Sequence, residues 1–274
     1  MKKNKDKVVL ITGASSGIGK STAMLLAENN FNVYGTSRKV NGTDSYPYPM
    51  VVMDVRDDVS VQDAISSIID KEKRIDVLIN NAGMGVAGFI ENSTIQHAKE
   101  QFETNFFGVF RVCKAVLPHM QKRSIGKIIN ISSLGGLFGL PLQGLYSASK
   151  FAVEGFTQSL RMELIGSGIR VISVNPGDVK THFTHNRIKT DEASSTIDTN
   201  SNSKKVLSVI ENDEMNGLNP DRVAKLIHRI INKKRPRARY LVGKFPQPLV
   251  PLCKKLLPAH TFEKLISSYY GVNK

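Results

Sequence analysis

The chain reads as an α/β protein: a doubly wound parallel sheet covered by helices on both faces, three layers in all. Three observations carry that reading. Short apolar runs alternate with longer stretches of helical periodicity, the pattern of buried strands joined by helical crossovers. The first apolar run leads through a glycine-rich turn into a helix. No apolar stretch approaches the roughly 18 residues of a membrane span, so the apolar residues serve an internal core. At 274 residues the chain is long enough for one large domain, 1–274, and no internal repeat is visible.

Val8-Val9-Leu10-Ile11 reads as the first strand. Thr12-Gly13-Ala14-Ser15-Ser16-Gly17-Ile18-Gly19 follows, and then a helical run from Ser21 to Asn29. Glycines 13, 17 and 19 between a strand and a helix suit a tight turn where backbone N–H groups meet a pyrophosphate. Their spacing is G-x-x-x-G-x-G rather than G-x-G-x-x-G. Phe31 to Thr36 reads as the second strand and Val51-Val52-Met53 as the third. Val77-Leu78-Ile79 is the fourth, Ile128-Ile129-Asn130-Ile131 a buried strand, and Val171 to Val174 the sixth. Pro236 breaks any helix there, and Tyr240-Leu241-Val242-Gly243 returns to the sheet as a last strand.

Tyr146 and Lys150 are four residues apart, so on a helix they share one face. A free phenol titrates near pH ~10 and shuttles protons poorly at neutral pH. A neighbouring cation favours the phenolate and makes it a usable acid or base. Ser133, after the Ile128–Ile131 strand, can hold a substrate oxygen against that phenol. A Tyr-x-x-x-Lys pair by itself also fits a solvated helix face; the glycine turn upstream is what gives it weight.

Together these motifs resemble the short-chain dehydrogenase/reductase family, over nearly the whole chain to about residue 181. Asp54-Val55, Asn80-Asn81-Ala82-Gly83, Asn105 within Thr104–Gly108, and Pro176-Gly177-Asp178-Val179-Lys180-Thr181 match in the family's order. The stretch Gly135 to Gly155 is most similar to the hydroxysteroid and retinol dehydrogenase branch. The resemblance implies a Rossmann-type fold and a catalytic set of Asn105, Ser133, Tyr146 and Lys150. Tyr146 is implied as proton donor in ketone reduction, Lys150 as its activator and ribose ligand, and Asn105 as holder of a water linked to Lys150. Cofactor contacts are implied at Gly13, Ser15, Ser16, Gly17, Ile18 and Gly19, at Ser37 and Arg38, and at Asp54 and Val55. Further contacts fall to Asn81, Ala82 and Gly83, to Tyr146 and Lys150, and to Pro176, Gly177, Val179 and Thr181. Asn105 has a plainer reading, satisfying backbone groups in a helix kink, and Asp54 one as a turn residue.

After the second strand the chain reads Ser37-Arg38-Lys39, with no carboxylate of the kind that bonds an NAD ribose. A planar guanidinium suits a 2′-phosphate, so NADP(H) is expected over NAD(H). Ser16 departs from NADP-using relatives, many of which carry a second basic residue in the glycine turn. The expected activity is interconversion of a hydrophobic secondary alcohol and ketone, steroid-, retinoid- or lipid-like. The alternative is a non-catalytic NADP(H)-binding regulatory or membrane-surface scaffold protein.

Cys113 and Cys253 are the two cysteines. A disulfide framework and a metal site are therefore not expected, and a reducing cytoplasm fits. The net charge of +14 is concentrated at the end: from Pro220 to Lys274, 13 Lys or Arg face Asp221 and Glu263. Two amphipathic helices separated by Pro258 are expected within 244–274, packing on the domain or covering its pocket. Contact with an acidic membrane surface is the sharper reading of that basic tail. Nucleic acid is not an expected partner, since no recognition motif accompanies the charge. The polar segment 183–205 is low in apolar residues and lies where the family carries a mobile substrate lid. Relatives pair through the helices of Asn105 and Tyr146, which implies a homodimer or homotetramer.

Overall fold

Each apolar run read as a strand joins one sheet. In a computed structural model, residues 7–40, 46–184, 186–190 and 200–272 are described. Their strands are β1 (Val8–Ile11), β2 (Asn32–Ser37), β3 (Met50–Val52), β4 (Val77–Asn80), β5 (Val86–Ala87), β6 (Gly126–Ile131), β7 (Ile169–Pro176), β8 (Ile188–Lys189) and β9 (Arg239–Val242). Seven of them form a sheet in the order β3-β2-β1-β4-β6-β7-β9, and every pairing is parallel. The reversal of order on either side of β1 and β4 puts a crevice at their carboxyl ends.

The helices are α1 (Gly17–Glu28), α2 (Asp58–Glu72), α3 (Ile95–Phe102), α4 (Gly108–Lys122), α5 (Gly144–Glu163), α6 (Asn200–Met215), α7 (Pro220–Asn232), α8 (Val250–Leu256) and α9 (Ala259–Tyr270). Alternation along each strand divides the core in two. Leu10, Leu78 and Ile128 face α2, α4 and α5 through Ile65, Val112, Met120 and Val153. Val9, Ile79 and Ile129 face α1 and α7 through Ala23, Leu26, Val223 and Ile227. Such strands are buried on both sides, which is why they read as unbroken apolar runs.

Several boundaries differ from the sequence expectation. Helix α1 begins at Gly17, inside the glycine turn, with Ser16 as its N-cap in extended conformation. Strand β3 runs one residue earlier than expected, although the Met53 N–H still donates to the Ser37 carbonyl at 2.9 Å. The pair β5–β8 went unforeseen, since two-residue strands leave no periodicity. The segment 183–205 is folded at its ends. Thr184, Arg187 and Thr190 are buried, and Val206, Leu207 and Ile210 of α6 pack with Leu142. Residue 185 and residues 191–199 of that segment lie outside the described residues. No described helix is long and apolar enough to cross a membrane.

At the amino end of the sheet, Asp76 is a buried anchor. Its Oδ2 accepts from the Val8 N–H at 2.9 Å, while Arg74 and Arg123 donate to its carboxylate at 2.6 and 2.9 Å. Burial works against the carboxylate, but bonds from Arg74, the Val8 N–H and Arg123 overcome it and hold the group below its usual range. Because the folded-state value is depressed, the stabilisation is present above the unfolded carboxyl value near ~4 and is lost as pH falls through the folded one. Asp76→Ala should therefore cost about 2–4 kcal/mol at pH 7, with a smaller gap from wild type at pH 3, measured by urea unfolding. Equal midpoints at pH 7 would contradict the anchor.

Candidate active site

The glycine turn after β1 is shaped by contacts that leave no room for side chains. Gly13 has φ +66°, and a Cβ there would come within 2.9 Å of Ala82 Cα. A Cβ on Gly19 would overlap the Gly13 carbonyl oxygen. Asn81 locks this packing, its Nδ2 donating to the carbonyls of Thr12 and Gly13 at 3.0 Å each. Thr12 Oγ1 accepts from the Asn81 and Ala82 N–H groups at 2.9 and 3.0 Å. Helix α1 opens from this turn with no acidic residue in its first turn, so its amide dipoles face the crevice uncompensated. A bare backbone cradle at a helix N-terminus fits the pyrophosphate of a dinucleotide.

A single cavity of about 880 Å³ runs from this turn across the sheet edge to the tail helices. Every residue expected to hold the cofactor lines it, save Gly19, which lies beneath the turn. Arg38 is exposed at one end, beside Ser37, whose hydroxyl donates to Ser15 Oγ at 3.3 Å. Asp54 lines the same end, with its carboxylate engaged by Arg56: Nε reaches Oδ1 at 3.0 Å and Nη2 reaches Oδ2 at 2.6 Å. That fork holds the Asp54 carboxyl below its usual range. Arg56 also lines the cavity, a cation the sequence reasoning passed over.

Tyr146 and Lys150 lie one turn apart on α5, with Lys150 Nζ 5.8 Å from the centre of the Tyr146 ring. Lys150 is buried and donates to the Ile131 carbonyl at the end of β6 at 2.9 Å. Burial lowers its pKa to about 8, against the raising effect of Glu154. Tyr146 is half-buried and lines the cavity. Burial pushes its phenol up to about 12, although a hydrogen bond with Ser133 pulls the other way. The sequence argument foresaw a lowered value from Lys150; here desolvation wins, and the phenol keeps its proton. Ser133 Oγ also accepts from the Gly135 N–H at 3.0 Å, which fixes the hydroxyl at the strand end.

Two buried networks hold this constellation. Asn175 Nδ2 donates to the Ser133 carbonyl at 2.9 Å and to Glu154 Oε1 at 2.8 Å, while Arg239 Nη2 donates to Glu154 Oε2 at 2.6 Å. Asn105 lies in a π-helical turn, Glu103–Phe107, between α3 and α4. Its side chain is fully engaged: Oδ1 accepts from the Met84 N–H at 2.8 Å, and Nδ2 donates to the Met84 carbonyl and Ser149 Oγ at 3.0 and 3.1 Å. Asn105 therefore stands behind the cavity wall rather than in it.

Beyond Tyr146 the cavity is walled by Phe138, Leu140, Val250, Leu265, Ile266 and Tyr270, so α8 and α9 close its far side. Phe183 sets its ring edgewise on Tyr146 at 5.7 Å. Asp178, Glu214 and Gln247 also line this half and were absent from the sequence expectations as site groups. No cluster of three metal-ligating side chains occurs among the described residues.

Comparison with known proteins agrees with this geometry. The family model described as short chain dehydrogenase matches residues 7–192. The 3-ketodihydrosphingosine reductase of Bacteroides thetaiotaomicron is 44% identical over 97% of this chain and 98% of its own length. Human retinol dehydrogenase 8 is 39% identical over 65% of this chain and 60% of its own. A short-chain dehydrogenase from Streptomyces avermitilis superposes with a TM-score of 0.81 at 26% identity, covering 99% of this chain and 97% of that one. The chain belongs to the short-chain dehydrogenase/reductase family, nicotinamide-dependent oxidoreductases acting on CH–OH groups.

Proposed function

We propose that the enzyme reduces a long-chain ketone to the secondary alcohol with NADPH, a substrate of the kind named for its Bacteroides relative. The observation that carries this reading is a protonated phenol, bonded to Ser133, at the point where a dinucleotide cradle meets an apolar-walled cavity. The bound cofactor supplies the hydride to the carbonyl carbon. Ser133 Oγ and Tyr146 Oη hold the carbonyl oxygen, and Tyr146 gives that oxygen its proton. The phenolate left behind is disfavoured by the burial that kept the phenol neutral, so the Lys150 ammonium beside the ring must stabilise it. Asn105, its amide engaged with Met84 and Ser149, acts as a positioning residue.

In this reading, N–H groups of the 13–19 turn hold the pyrophosphate, Asp54 and Val55 border the adenine, and Val179 and Thr181 border the nicotinamide. Arg38 meets the 2′-phosphate; no carboxylate follows β2 in the chain, and the Asp54 carboxylate at the same end is paired with Arg56. The segment 183–205 acts as a lid that excludes water from the reacting atoms. At the tail, Phe245, Leu252 and Leu256 are 85%, 54% and 74% exposed among Lys244, Lys254, Lys255 and Lys264. An anionic bilayer surface suits both features: apolar side chains enter it, and each nearby cation contributes about 1 kcal/mol.

Three experiments test these statements. Tyr146→Phe should lower turnover of a long-chain ketone by about 10²–10⁴-fold while NADPH affinity, followed by fluorescence, stays nearly constant; activity within tenfold of wild type would rule out the proton-transfer role. Wild type should show a higher kcat/KM with NADPH than with NADH, and Arg38→Ala should cut that ratio by about tenfold or more; a preference for NADH removes the 2′-phosphate assignment. The protein should co-sediment with phosphatidylserine vesicles at low salt and not with purely zwitterionic ones, whereas equal recovery in the supernatant of both removes the membrane contact.

A further inference from the structure

The half of the cavity beyond Tyr146 has apolar walls from Phe138, Leu140, Val250, Leu265 and Ile266, and carries two carboxylates, Asp178 and Glu214. Among the described residues the hydrogen bond to the Asp178 carboxylate comes from a neutral donor, Gln247 Nε2, and Gln247 Oε1 in turn accepts from the Asp178 N–H at 3.3 Å. Glu214, also in the cavity wall, differs: Arg187 pairs with it, and Thr184 Oγ1 donates to it at 2.6 Å. Asp213 stands nearby and accepts from Tyr269 at 2.8 Å. Burial first, then Glu214 and Asp213, lift the Asp178 carboxyl to about 6, with Gln247 and the more distant Arg187 opposing. The group is thus ionised near neutrality in a site that penalises its charge.

That charge also works against the chemistry. Asp178 and Glu214 both disfavour the phenolate of Tyr146, the species left by proton transfer. A carboxylate so placed is a liability in the reaction unless something positive meets it there. The rings of Tyr270 and Tyr269 line the same part of the cavity, with centroids 5.1 Å apart and planes at 88°, and Phe183 borders it. Aromatic faces beside a carboxylate form the ordinary surroundings of a bound ammonium ion.

We propose that Asp178 determines specificity by receiving a protonated amine carried by the substrate close to its carbonyl, with the substrate's apolar chain lying along Leu140, Leu265 and Ile266. This rests on the ketone-reductase reading and narrows it to long-chain amino ketones. A cation held there also removes the repulsion that Asp178 exerts on the forming phenolate.

The test compares a long-chain 2-amino-3-ketone, its N-acetylated form and a nitrogen-free ketone of equal length, each below its critical micelle concentration. Wild type should favour the amino ketone over both others by at least about tenfold in kcat/KM. In Asp178→Asn, which keeps an acceptor for Gln247, the ratio of amino ketone to nitrogen-free ketone should fall towards one. A merely structural role for Asp178 would lower both rates together and leave that ratio unchanged. Calorimetry of the corresponding long-chain amino alcohol gives a second readout, with about tenfold or more loss of affinity expected in the variant. Equal use of the three ketones by wild type overturns the ammonium assignment and leaves the reductase reading standing. Failure to reduce any of them counts against the reductase reading, and the calorimetry then decides the ammonium assignment: amino alcohol binding that survives unchanged in Asp178→Asn overturns it. Should the variant not fold, the wild-type comparison alone decides.

Discussion

The site depends on how α5 is seated against the ends of β6 and β7. Lys150 carries an ammonium into a buried position, where its hydrogen bond to the Ile131 carbonyl ties the helix to the strand end. One turn further on, Glu154 receives Asn175 and Arg239, and Asn175 reaches on to the Ser133 carbonyl. Burying charge is costly unless each group finds a partner, so this arrangement tolerates few alternatives. A helix shifted by one residue would turn Tyr146 away from Ser133 and leave Lys150 and Glu154 without their bonds. Catalytic geometry and helix register are thus enforced by the same polar contacts.

Much of this was legible in the sequence, for identifiable reasons. Val8–Ile11 and Val77–Ile79 show as strands because both faces are buried, and the glycine turn shows because Gly13 and Gly19 have no space for a Cβ. Tyr146 and Lys150 share a helix face because four residues make about one turn. The roles attached to Asn81, Val179 and Thr181 came from resemblance, not from periodicity. What stayed hidden arises only when distant segments meet. Asp178, Glu214 and Gln247 reach one cavity from three parts of the chain, and no spacing rule links them. The raised pKa of Tyr146 is of the same kind: the sequence displays its cation but not its burial. Asn105 could be placed on a helix, yet the π-turn that its side chain supports depends on Met84 and Ser149.

Charge on this protein has to be read locally. The chain as a whole is strongly basic, at +14. The cavity is lined by both signs instead: Arg38 stands with the Arg56–Asp54 pair at the dinucleotide end, and Asp178 with the Arg187-paired Glu214 at the other. Exposed tail cations are screened by salt over about 8–10 Å, while short-range pairing and burial govern the groups that line the cavity. Net charge therefore speaks to the outer surface, and the lining to the chemistry.

The helix α9 belongs to the last part of the chain, beyond the residues 7–192 that carry the family signature, yet it supplies Leu265, Ile266, Tyr269 and Tyr270 to the cavity wall. The far wall of the cavity is thus assembled from two stretches of polypeptide, with Phe138, Leu140 and Asp178 from the first and Leu265, Ile266, Tyr269 and Tyr270 from the second. The hydrogen-bonded machinery around Tyr146 constrains the first stretch tightly, whereas the second need only present a wall of suitable shape and polarity. Changes confined to α9 would therefore reshape that wall without touching the hydrogen bonds that seat Lys150 and Ser133.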